Sequence, residues 1–185
     1  FLFGVTKAEK LPSDYGIEVI LSGRSNAGKS SALNSLSDNK KLARISKTPG
    51  RTTEINFFEV KDGFKLLDLP GYGFAKSGRS RRKNWGPLLE EYFKNRQSLK
   101  AVSIFMDIRH PLKSIDLEMI KLCESSNINY VAVLTKSDKV SKNISAKTIQ
   151  QVSEAINAKE ILVISSLNKI GFEKLRKVLI GFKYE

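Results

Sequence analysis

The run Gly23-Arg24-Ser25-Asn26-Ala27-Gly28-Lys29-Ser30 reads G-x-x-x-x-G-K-S, the spacing of a phosphate-binding loop. Its glycines let the backbone curl so that successive N–H groups face phosphate oxygens. A helix beginning where the loop ends adds the positive end of its dipole. Lys29 is placed to reach the β- and γ-phosphates, and the Ser30 hydroxyl to bind Mg²⁺. This loop alone does not choose between ATP and GTP.

Four further stretches narrow the chemistry. Asp68-Leu69-Pro70-Gly71 offers a carboxylate for the Mg²⁺ shell and, at Gly71, an N–H that can sense a γ-phosphate. Thr135-Lys136-Ser137-Asp138 follows an apolar strand. There Asp138 can accept from guanine N1–H and the 2-amino group, donors that adenine lacks. The Lys136 stem can lie over the base. Ile164-Ser165-Ser166 ends the next strand, with backbone N–H groups that could meet the guanine carbonyl. In the polar loop Gly50-Arg51-Thr52-Thr53-Glu54, Thr52 or Thr53 could supply a second hydroxyl to Mg²⁺ and order the loop when a γ-phosphate is present. The residues expected to carry turnover are Lys29, Gly71 and one of these two threonines.

These residues need elements to hold them. Short apolar, β-branched runs predict strands at 17–21, 55–60, 64–67, 101–106, 130–134 and 161–164. Helical spacing predicts helices at 30–37, 81–96 and 114–123, one through Ile149, Val152 and Ile156, and one through Phe172, Leu175, Val178 and Leu179. The alternation implies an α/β fold: a mostly parallel six-stranded sheet with one antiparallel edge strand and helices on both faces. Asp62-Gly63 marks the one hairpin. At 185 residues, a single domain over 1–185 is expected, with 1–16 an irregular lead-in.

G-R-S-N-A-G-K-S, T-P-G-R-T, D-L-P-G-Y-G-F-A and T-K-S-D together resemble the EngB family of the TrmE–Era branch, in matching order over about residues 15–181. The threonine of T-K-S-D and the D-L-P-G-Y-G-F-A run are its most specific points. The resemblance implies a P-loop GTPase that assists assembly of the large ribosomal subunit, with Thr52 as the switch threonine. Thr53 stands where the family pattern has glutamine. In that branch an asparagine at the position of Asn26 accompanies a K⁺ ion beside the phosphates. Tyr72 occupies the place where Ras-like proteins put a water-orienting glutamine, so intrinsic hydrolysis is expected to be slow.

Lys and Arg number 32 against 19 Asp and Glu, a net charge of +13, which attracts polyanions such as RNA. Lys76, Arg79, Arg81, Arg82 and Lys83 lie together with no acid among them, directly after the γ-phosphate-sensing stretch. They suit contact with a phosphate backbone. Cys123 is the single cysteine, which excludes a disulfide framework. It is expected inside a helix as a small apolar residue. His110 reads as structural or surface, and Trp85 as packing. No apolar run, secretory signal or prenylation pattern points to a membrane. The expectation is a cytoplasmic monomer binding GTP or GDP and ribosomal RNA or the large subunit. A small-molecule P-loop kinase, or an RNA-binding module with a structural nucleotide site, remain the competing readings.

Overall fold

The computed structural model describes residues 3–5, 11–36, 55–61, 63–69 and 89–184. Seven strands form one sheet: β1 Phe3–Val5, β2 Ile17–Gly23, β3 Ile55–Lys61, β4 Phe64–Asp68, β5 Leu99–Asp107, β6 Asn129–Thr135 and β7 Glu160–Val163. Their spatial order is β1-β3-β4-β2-β5-β6-β7. The α-helices are α1 Lys29–Leu36, α2 at residues 89–95, α3 Ser114–Ser125, α4 Lys142–Ala155 and α5 Phe172–Gly181.

All six expected strands are present, and β1 is the seventh. Its three residues pair with β3, Val5 opposite Ile55, and Val5 is buried. This corrects the irregular lead-in expected over 1–16 at residues 3–5, while 11–16 are irregular: a three-residue strand with a central glycine has too little alternation to be read locally, and its partner makes it. The antiparallel strand is confirmed as β3, which runs against both neighbours. It does not lie at the edge, because β1 covers it. Of the expected helix 81–96, residues 89–95 are helical, while 81–88 and Trp85 lie outside the described residues. The fourth helix begins earlier than its apolar residues suggested, at Lys142. There Ser141 caps it by accepting from the Ile144 N–H at 3.3 Å. It ends before Ile156, which is extended.

Alternation along the parallel strands builds two cores. Ile20, Val102, Ile104, Ala132 and Leu134 face α2, α3 and α4, whose Tyr92, Phe93, Met119, Ile120, Cys123 and Val152 cover them. Val19, Leu21, Ala101, Phe105, Val131 and Val133 face α1 and α5, which contribute Ala32, Leu33, Leu175 and Leu179. Cys123 lies in this interior, its thiol pushed up to about 12 by burial.

At the N-terminal edge of the sheet the buried Glu18 carboxylate gathers several groups. It accepts from the Tyr92 hydroxyl and from Arg96 Nε at 2.9 Å and Nη2 at 2.7 Å, with Lys65 Nζ at 3.7 Å. Arg96 also donates to the Pro12 carbonyl at 2.7 Å, and Asp14 accepts from the N–H groups of Gln97 and Ser98. Residues 12–14, β2, β4 and the end of α2 are thereby tied together. This leaves the opposite, C-terminal edge of the sheet as the functional end. β2 sits between β4 and β5, a switch point outside which α/β sheets bind ligands.

Candidate nucleotide site

Four chain segments converge at that end. The first runs from the end of β2 into α1. Gly23 packs so tightly that an added Cβ would lie 2.6 Å from the Phe105 carbonyl oxygen. Asn26 (φ +64) and Gly28 (φ +91) occupy left-handed backbone, which curls the loop. Lys29 is buried at the start of α1. Its Nζ donates to the Leu69 carbonyl at 2.7 Å and pairs with the Asp68 carboxylate. Asp68 ends β4 beside Leu21, so sheet register sets this meeting. Ser30 follows in the first turn of α1. Arg24 lies alongside α3, with Nε 3.8 Å from Asp116 Oδ2. Asp116 is fully buried, and burial raises its carboxyl above the usual range.

The second group comes from the β6 end. Thr135 Oγ1 donates to the Ala27 carbonyl at 2.7 Å and lies 3.2 Å from that of Met106. Its hydroxyl is therefore spent on bracing the phosphate loop against β5. Lys136 adopts left-handed backbone (φ +59) and donates from Nζ to the Asn26 carbonyl at 2.7 Å. A 3₁₀ turn, Ser137–Lys139, then presents Asp138. Asp138 Oδ1 accepts from the Ser165 hydroxyl at 2.7 Å, and Lys139 Nζ lies 3.4 Å from Oδ2. The Ser165 hydrogen bond is the chief cause holding the Asp138 carboxyl below its usual value.

Beyond β7, Ile164 and Ser165 behave differently from the sequence expectation. The Ile164 N–H donates to the Leu134 carbonyl at 2.9 Å, and the Ile164 carbonyl accepts from Ser137. The Ser165 N–H donates to the Ile170 carbonyl at 3.1 Å. Both N–H groups are committed within the fold, which leaves Ser166 as the candidate backbone donor of the three. Ser165 acts here through its side chain.

Asp107 and Arg109 also stand at this end, in the Asp-Ile-Arg-His-Pro stretch where the sequence singles out only His110, which is exposed. Asp107 ends β5 directly opposite Thr135, and its carboxylate touches Lys136 Nζ at 2.9 Å. An acid closing the strand next to the one that leads into T-K-S-D is the signal that could have found it. Gly50, Arg51, Thr52, Thr53, Glu54, Pro70, Gly71 and Tyr72, with the basic cluster 76–83, lie outside the described residues.

A family model described as a 50S ribosome-binding GTPase matches residues 18–136. The probable GTP-binding protein EngB of Salmonella typhimurium is 48% identical over 183 residues, covering 97% of this chain and 87% of the relative. The chain belongs to the EngB family of GTPases.

Solved structures agree on the fold. A probable GTP-binding protein EngB superposes with a TM-score of 0.73 at 22% identity, over 90% of this chain and 98% of that one. Era in complex with MgGDPNP and a fragment of 16S ribosomal RNA gives 0.70 at 20% identity, over 89% of this chain and 56% of Era. Membership in the EngB family makes this a GTP-binding enzyme and sets aside the small-molecule kinase reading. Among the described residues, no helix is long and apolar enough to cross a membrane.

Proposed function

We propose that this EngB-family GTPase is a switch that hydrolyses GTP slowly and docks on ribosomal RNA during assembly of the large ribosomal subunit. The observation that carries the guanine site is Asp138, ionised and oriented by Ser165, at the same C-terminal end of the sheet as Lys29. Its two oxygens suit the N1–H and 2-amino donors of guanine, and an adenine would leave them unpaired. Ser166 supplies the candidate N–H for the guanine carbonyl.

On the phosphate side, residues 23–30 cradle the phosphates. Lys29 exchanges its contacts with Asp68 and Leu69 for the β- and γ-phosphates, releasing the Asp68 carboxylate toward the metal side. The donors fit Mg²⁺: a hydroxyl at Ser30 in the first helical turn and a carboxylate at Asp68 against the same lysine are hard oxygen ligands. Thr52 completes the protein's share, and bound Mg²⁺ would neutralise charge developing between the β- and γ-phosphates. Gly50, Arg51, Thr53 and Glu54, the neighbours of that threonine in sequence, belong to the same proposed nucleotide-binding stretch. Leu69, Pro70 and Gly71 carry the γ-phosphate response into the basic cluster at 76–83.

Asn26 offers a side-chain carbonyl for K⁺ beside the phosphates, in place of an arginine finger. With Tyr72 instead of a glutamine, the resting rate is slow and a ribosomal partner raises it. The net charge of +13 and the 50S ribosome-binding description of the matched model support RNA as that partner. The reading is of one monomeric GTP-binding unit over 1–185, acting in the cytoplasm where ribosomes assemble.

Co-sedimentation with ribosomal subunits under GTP, GDP and no nucleotide tests it. Binding to large subunits that depends on GTP and weakens when Arg79, Arg81 and Arg82 become Glu is expected. Binding indifferent to nucleotide would overturn the switch.

A further inference from the structure

We propose that Asp107 is a positioning residue of the guanine site: it anchors the Lys136 ammonium and so locks the base-side loop to the crest of the phosphate loop. The inference deepens, and rests on, the guanine reading above.

The geometry of one carboxylate carries it. Asp107 Oδ2 takes Lys136 Nζ at 2.9 Å and Arg109 Nη2 at 2.7 Å. Oδ1 takes Arg109 Nε at 2.9 Å and the Arg109 N–H at 3.1 Å. Four donors thus surround an acceptor-only group, whose side chain is 8% exposed. Burial works against the charge, but the Arg109 and Lys136 hydrogen bonds outweigh it and hold the carboxyl well below the usual carboxylate range.

Lys136 spends its remaining reach on the Asn26 carbonyl at 2.7 Å. Its ammonium therefore bridges the ends of β5 and β6 and the loop after β2. A lysine with four flexible methylenes loses much rotamer freedom when held this way. Asp107 supplies the opposing charge that fixes it before a nucleotide arrives, which lowers the ordering cost of binding. Arg109 braces Asp107 from the solvent side, where its own side chain is 43% exposed. Asp107 lies outside all five stretches from which the nucleotide site is read, and it acts on the base through Lys136.

The test is the release rate of fluorescent N-methylanthraniloyl-GDP from the full chain in a double-mutant cycle. Asp107→Asn should speed release on the order of tenfold, as expected for losing a hydrogen bond to a charged group. In a Lys136→Met background the same change should have almost no further effect. Arg109→Ala, on an exposed side chain, should speed release less, and again only when Lys136 is present. Melting temperatures without nucleotide record any purely structural loss, which would persist in the Lys136→Met background. Multiplying rather than overlapping effects, or release unchanged in both single variants, would overturn the role of Asp107. A wild-type chain that does not prefer GDP over ADP would instead overturn the guanine reading beneath it.

Discussion

The Ser165 hydroxyl donates to Asp138 Oδ1 across 2.7 Å, so a side chain beyond β7 aims the carboxylate that follows β6. Ser165 is itself fully buried and accepts from the Asn168 N–H at 3.2 Å. Ser165→Ala should lower GDP affinity roughly tenfold by freeing Asp138 to rotate. Calorimetric titration would measure it, and unchanged affinity would remove Ser165 from the site. The pH dependence has a definite sign. The folded pKa of Asp138 is depressed, so its contribution to stability is present above the ordinary value of 3.8 and is lost as pH falls through the depressed one. Losing the Ser165 bond moves that loss to higher pH, still well below neutrality, so the affinity defect should not vary between about pH 6 and 8.

Asp138→Asn replaces an acceptor-only group by one that also donates. GTP affinity should fall on the order of 10²-fold or more, since guanine donors would face an amide N–H. Xanthine nucleotides, with a 2-oxo group, should gain. Competition between GTP and XTP reads both effects, and an unaltered GTP affinity would sink the base assignment.

Hydrolysis should run faster in K⁺ than in Na⁺ at equal ionic strength. Asn26 stands in left-handed backbone at the crest of the loop, its main-chain carbonyl already taken by Lys136, so the side-chain carbonyl is the oxygen it has left for an ion. Asn26→Ala should erase the difference between salts while GDP binding stays close to wild type. Equal rates in both salts, with and without ribosomal subunits, would leave the missing charge to the partner.

Glu18→Gln should destabilise the fold by about 3–5 kcal/mol, the cost of breaking a buried ion pair by removing one charge. Lys65 would lose its carboxylate partner, and Arg96 would keep only Asp14, 3.5 Å from its Nε. Urea denaturation monitored by circular dichroism gives the value. A change below about 1 kcal/mol would be that of an exposed pair and would show that the cluster does not hold the lead-in.

Much of the site was legible in residue order because its chemistry is local. A curled loop needs its glycines within a few residues, and a phosphate lysine must follow at the first helical turn. G-x-x-x-x-G-K-S therefore carries its own geometry, and the left-handed Asn26 and Gly28 confirm it. The central strands β2, β5 and β6 were legible for a similar reason, since burial on both faces demands continuous apolar runs.

What residue order could not supply were the relations between segments distant along the chain. β1 becomes a strand only because Val5 finds Ile55. Thr135, marked in the sequence only as a specific point of T-K-S-D, acts as a brace because β6 register sets it against Ala27 and Met106. Asp107 and Lys136 carry no shared motif, yet parallel pairing of β5 and β6 places Asp107 opposite Thr135 and so beside the lysine. Motifs record which groups a short backbone segment must present. Sheet register, set by packing across the whole chain, decides which of those groups meet.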